Sequence, residues 1–140
     1  MMTSDLDEVM AIEQVSYPAP WKREHFLQEI HSPLSFPEVA VNNGCVVGYV
    51  CLMSLFEEAQ IMNIAVAPAQ RDRGVARRLM ERAFLTARDK GAENLVLEVR
   101  ESNAAAIALY ESYGFSRYFI RKGYYEGKED AFLMEKSLVE

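Results

Sequence analysis

The stretch CVVGYVCLMSLF, Cys45 to Phe56, constrains the fold more than any other part of the chain. It is rich in β-branched and aromatic residues, follows the hairpin signal Asn43-Gly44, and is apolar at odd and even positions alike. A strand turns successive side chains to opposite faces, so a strand apolar on both faces needs cover on both. The segments on either side of it must therefore supply packing for each face of a sheet.

They have the patterns to do so. Leu6, Val9, Met10 and Ile12 recur at helical spacing behind Ser4, a suitable N-cap, and the prolines of YPAPW end that helix. Lys22 to His31 reads as a second helix with Phe26, Leu27 and Ile30 on one side, and SPLSFPE breaks the chain after it. A short strand at Val39–Val41, the Asn43-Gly44 turn, the two-faced strand, a turn at Glu57-Glu58 and a strand from Ala59 to Val66 follow. In RDRGVARRLMERAFLTARDKG, Val75, Leu79, Ala83 and Ala87 fall four apart, Met80 and Phe84 widen the stripe, and Gly91 suits the C′ position of a helix. Asn94–Val99 predicts a strand and Asn103–Tyr113 a helix capped by Ser102 or Asn103 and stopped at Gly114. Phe115–Arg121 and Ala131–Ser137 predict two closing strands joined by KGYYEGKED. This order predicts an α/β chain with one mixed sheet and helices on its faces.

The bulk properties narrow the function classes. At 140 residues a single domain is expected. No apolar run approaches the roughly 20 residues of a spanning helix, and MMTSDLDEVM lacks a signal peptide's basic-then-apolar layout, so a cytoplasmic protein without membrane contact is expected. Cys45 and Cys51 lie in one strand, about 20 Å apart, too far for a disulfide between them, and read as core thiols. His25 and His31 have no ligand-like spacing, which makes a metal site unexpected. With 15 basic and 21 acidic residues the net charge is −6, which argues against a general nucleic-acid binder. Yet Arg71, Arg73, Arg77 and Arg78 crowd together while Glu57, Glu58, Glu98, Glu101 and Glu111 are scattered, a combination suited to a small anion and a cationic substrate.

Arg71-Asp72-Arg73-Gly74-Val75-Ala76 lies between a strand and the start of the longest helix. A helix N-terminus offers unpaired N–H groups and a positive dipole end, and Gly74 removes a side chain that would block approach. Basic residues there oppose the dipole, a conflict that a bound phosphate relieves; the plain alternative is a strand-to-helix turn with solvated arginines.

The segment matches the pyrophosphate loop, Gln/Arg-x-x-Gly-x-Gly/Ala, of the GNAT superfamily of acetyl-CoA-dependent N-acetyltransferases. Around it stand NIAVAPAQRDRGVARRL, then LEVRESNAAAIALYESYGF, then YY and EDAFLM, and with these the chain resembles that superfamily throughout, in particular its RimI type, the ribosomal protein alanine N-acetyltransferases. The resemblance implies a mostly antiparallel sheet splayed between two parallel strands, with about four helices. It implies that Arg71, Asp72, Arg73, Gly74, Val75, Ala76 and Arg77 hold the CoA pyrophosphate, and that Ile64, Ala65 and Val66 bind pantetheine through their main chain. It also implies a protein α-amine as acceptor, with the eighteenth small-subunit ribosomal protein as the expected partner.

Glu98 shares a strand face with Val96 and Arg100, so residue chemistry leaves it either paired with a cation such as Arg100 or poised at a cleft. The resemblance assigns it as general base. Tyr110 shares a helical stripe with Ile107 and Gly114 and reads on its own as a buried tyrosine; the resemblance makes it the general acid for the CoA thiolate. Asn103 combines an N-cap with an implied contact to the CoA chain. Trp21, Tyr124 and Tyr125 occupy positions that line the peptide groove in related enzymes, although a lone tryptophan is equally a core anchor and a Tyr-Tyr pair equally surface. Glu57, Glu58 and Glu101 would favour basic peptides or serve solubility. The chain departs from the pattern at two points. The superfamily's opening strand is short or absent here, and Ala19, two residues before Trp21, stands where close relatives carry an aromatic, which bears on peptide preference.

Overall fold

A computed structural model describes residues 1–139. The helices are α1 (Leu6–Ser16), α2 (Arg23–His31), α3 (Val75–Asp89) and α4 (Ala104–Ser112). The strands are β1 (Ser35–Asn42), β2 (Cys45–Leu55), β3 (Glu58–Val66), β4 (Asn94–Arg100), β5 (Ser116–Tyr125) and β6 (Glu129–Ser137). They form one six-stranded sheet in the order β1-β2-β3-β4-β6-β5, antiparallel except where β3 meets β4. The α/β class, the mixed sheet and its helical cover thus match the expectation.

The two-faced strand separates two cores. Val50 and Leu52 of β2 pack with Leu79, Met80, Ala83 and Phe84 of α3 and with Leu95, Leu97 and Val99 of β4. Tyr49 and Cys51 point the other way, into a smaller core with Leu6, Val9 and Ile12 of α1 and Phe26 of α2. Alternation along one strand therefore assigns α3 and α4 to one face and α1 and α2 to the other. Gly48 lets α3 sit close: a Cβ there would lie 2.9 Å from the Ala65 carbonyl oxygen and 3.1 Å from Val75 Cγ1.

Several boundaries differ from the sequence reading for physical reasons. β1 begins at Ser35 and runs through Pro37, because an edge strand tolerates a proline with no N–H to give. β5 continues to Tyr125, so the expected loop KGYYEGKED contracts to a turn at 126–128 in which Glu126 and Gly127 have φ of 54° and 70°. Ser4 lies in a 3-10 turn and does not cap α1, whose helix starts at Leu6 with Asp5 before it. Cys45 is exposed at the start of β2, and only Cys51 is a core thiol. The Asn43-Gly44 turn forms as expected, both residues left-handed with φ of 52° and 79°. No helix among the described residues is long and apolar enough to cross a membrane.

Candidate active site

The site begins where β3 and β4 part. Their parallel pairing runs from Glu58↔Asn94 to Ile61↔Leu97 and ends there. At the same point β3 bulges: Leu52 of β2 faces Ile61 while Cys51 faces Asn63, which leaves Met62 as an extra residue. A bulge bends its strand and reverses the alternation beyond it. Ile61 and Ile64 consequently serve the same core, while Asn63 and Ala65 turn toward α1. The backbone of Ile64 to Val66 is left along an open edge. Tyr17 donates its hydroxyl proton to the Ile64 carbonyl, and Arg71 Nε donates to the Val66 carbonyl at 3.2 Å.

That edge walls a cleft of about 830 Å³. Ile64, Ala65 and Val66 form one side; Arg71, Asp72, Gly74, Val75, Ala76 and Arg77 close one end; and α4 contributes Asn103 and Tyr110. Every residue expected to hold the cosubstrate is brought here except Arg73, whose side chain does not line the cleft. The loop needs left-handed backbone, with φ of 62° at Asp72 and 82° at Gly74. Nothing lies within 4 Å of a Cβ built on Gly74, so in the protein alone the glycine answers to φ and not to crowding. The first turn of α3 holds no acidic side chain, so its N–H groups and positive dipole end face the cleft uncompensated.

A second cavity of about 190 Å³ adjoins the first, and Tyr17, Ile64, Arg100, Asn103 and Tyr110 border both. Glu98 lines this smaller cleft with its side chain 25% exposed. It is not paired with Arg100, whose guanidinium lies 3.3 Å from Glu126, 3.2 Å from Glu129 and 4.0 Å over the Tyr125 ring. The nearest cation to Glu98 is Arg121, at 4.0 Å. Tyr110 is 6% exposed, its ring edge-on to Phe115 at 5.8 Å. Burial, with a smaller contribution from nearby Tyr125, pushes its hydroxyl up to about 12, so it keeps its proton at neutral pH. Asn103 accepts a hydrogen bond from the Ala106 N–H at 3.2 Å, so the cap and the cleft position coexist.

The acceptor-side residues divide. Trp21 and Tyr125 line the smaller cleft, and Trp21 also packs on Phe26 at 5.0 Å, so it is core anchor and wall together. Tyr124 does not line either cleft: β5 continues through it, and alternation turns it away to a half-exposed position beneath Arg121. Glu57, Glu58 and Glu101 are exposed and stand outside both cavities.

Residues 6–115 match the model of the acetyltransferase (GNAT) family. The chain belongs to that family. It is 38% identical over 136 residues to the [ribosomal protein bS18]-alanine N-acetyltransferase of Escherichia coli strain K12, covering 94% of this chain and 90% of that protein. It is 34% identical over 148 residues to an N-alpha-acetyltransferase of Saccharolobus solfataricus, covering 96% of this chain and 88% of that one. The crystal structure of the ribosomal-protein-S18-alanine N-acetyltransferase from Escherichia coli superposes with a TM-score of 0.92 at 35% identity, covering 100% of this chain and 92% of the other. The splayed sheet is thus a GNAT sheet.

One part of this GNAT site was not foreseen. Glu13 is 1% exposed, borders the smaller cleft, and gathers three donors: the Trp21 N–H at 2.9 Å, the Asn63 side-chain amide at 2.9 Å, and the Tyr49 hydroxyl. It ties the loop after α1 to β2 and to the bulge of β3. The signal was present: Glu13 lies seven residues after Leu6 and four after Val9, a charge inside the apolar stripe of α1. Burial of such a carboxylate demands partners, and the sequence alone does not say which.

Proposed function

We propose that the chain, working as one domain over residues 1–140, transfers the acetyl group of acetyl-CoA to the α-amino group of a protein N-terminus. The N-terminal alanine of the eighteenth small-subunit ribosomal protein is the first substrate to test. The observation that carries the reading is the meeting of two cavities, one basic and backbone-lined, the other acidic, at Tyr110.

The larger cleft suits acetyl-CoA as cosubstrate. Its residues offer the α3 N-terminus with Arg71 and Arg77 for phosphate groups, and the open edge of β3 for the pantetheine amides. The amine enters the smaller cleft. An α-amino group has a pKa near 7.7–8.0, so much of it arrives protonated and cannot attack. Glu98, directly or through a water, takes that proton. The free nitrogen attacks the thioester carbonyl, whose oxygen is polarised by a backbone N–H near Val66. The C–N bond forms, the C–S bond breaks, Tyr110 passes its proton to the departing sulfur, and the second proton that the nitrogen sheds on becoming an amide restores the tyrosine hydroxyl. Direct attack fits the cysteines: neither Cys45 nor Cys51 lines either cavity.

Incubation with acetyl-CoA and a panel of peptides, each with its α-amine free or blocked, tests the reading when the acetyl group is mapped by mass. Acetylation of the free α-amines is expected. Acetylation confined to lysine side chains or small amines would overturn it.

A further inference from the structure

We infer that the smaller cleft is built for first residues larger than alanine, and that Ala19 is what makes the room. The inference rests on the α-amine reading above. The attacking nitrogen must reach the junction bordered by Tyr17, Ile64 and Tyr110. The first side chain leaves from the carbon bonded to that nitrogen, so it lies in the smaller cleft, immediately beside the junction.

Size comes first. The cleft measures about 190 Å³, whereas an apolar cavity of about 150 Å³ already takes a benzene ring. A single methyl group would leave most of it unfilled. The wall explains the space: the loop joining α1 to α2 contributes Tyr17, Ala19 and Trp21, so the smallest of the three stands between two aromatics. An aromatic at position 19 would occupy volume that alanine leaves open.

The character of the surface then selects the class. Ile61, Leu97 and Val99 are buried apolar residues in the lining. Met62, the extra residue of the β3 bulge, adds a flexible thioether wall that adapts to different shapes. Of the charged groups in the same cavity, Arg100 is engaged by Glu126 and Glu129, Glu13 by its three donors, and Glu98 is taken up by the incoming amine itself. No charge is left over for a first side chain, and the apolar part of this mixed lining fits methionine or leucine.

Peptides identical from the second residue onward and starting with Ala, Met or Leu, assayed with acetyl-CoA, give the test as ratios of kcat/KM. The Met and Leu peptides are expected within tenfold of the Ala peptide or above it; values more than tenfold below overturn the inference. In Ala19→Phe the Met-to-Ala ratio should fall at least tenfold, and in Ala19→Val by less. Should Ala19→Phe fail to fold, Ala19→Val carries the same comparison, and an unchanged ratio in the folded variants overturns the assignment to Ala19. Acetylation of alanine alone defeats only this inference. Acetylation of no α-amine at all defeats the reading beneath it, so the two failures are distinguishable.

Discussion

The two cavities that meet at Tyr110 are made in opposite ways. The larger is walled mainly by three short continuous segments, 64–66, 71–77 and 103–110, and presents backbone and a helix end. The smaller is assembled from more elements: the 61–64 and 97–100 runs of the parting β3 and β4, and scattered residues of α1, the loop after it, the N-terminal cap and body of α4, and β5. Recognition through main chain constrains local conformation and tolerates varied side chains. A pocket assembled from distant side chains depends on how those elements pack, and a change at one position reshapes it. The difference suits a fixed cosubstrate on one side and a variable acceptor on the other.

The largest effects should come from the junction and separate chemistry from both cavities. Glu98→Gln and Tyr110→Phe should each lower kcat by roughly 10²–10⁴-fold, the range of general acid–base catalysis. Acetyl-CoA affinity by calorimetry should stay within about threefold; unchanged rates in both variants would remove their proposed roles.

Glu13→Ala strikes the acceptor side alone. It strands three donors, two buried and one part-buried, at about 1–3 kcal/mol for each buried one before relaxation, so a net loss of about 3 kcal/mol and a Tm lower by roughly 10 °C are expected. The KM for peptide should rise more than that for acetyl-CoA, and an equal rise in both would break the contrast between the cavities. Gly74→Val is the converse. A β-branched residue at a φ of 82° costs about 1–2 kcal/mol, so the KM for acetyl-CoA should rise roughly tenfold while peptide KM holds.

The smallest effect is common to both walls and appears as alkaline instability. Tyr110 ionises near 10 when unfolded and is pushed up to about 12 when folded, and burial raises Tyr17 and Tyr49 as well. Above pH 10 the unfolded chain has released protons that the native one retains, so stability falls as pH rises from 10 toward 12. Tyr110 alone should contribute a loss of about 1 kcal/mol at pH 11. Chemical denaturation at pH 9 and 11 measures it, and Tyr110→Phe should reduce the difference.

The same contrast explains what could be read in advance. The Arg71–Arg77 loop, the Asn103 cap and the strand carrying Glu98 are local features, visible as spacing and residue type. Tyr124 and Tyr125 could not be separated until β5 proved continuous through both, since strand alternation puts neighbours on opposite sides. Glu98 could not be freed from Arg100 until the turn after β5 delivered Glu126 and β6 delivered Glu129. Glu13 was visible as a charge in an apolar stripe, but its three partners lie 8, 36 and 50 residues away in the chain.

By itself, the amino-acid order determined the element types, the two-sided cover of β2, the phosphate-seeking end of α3 and the family resemblance, because each is set by short-range periodicity and local backbone preference. Only the tertiary structure decided where β3 leaves β4, which aromatic faces the cleft, and that Ala19 opens onto it. Those outcomes depend on strand register and on contacts between distant segments. A single extra residue, Met62, is enough to turn Asn63 from one face of the sheet to the other.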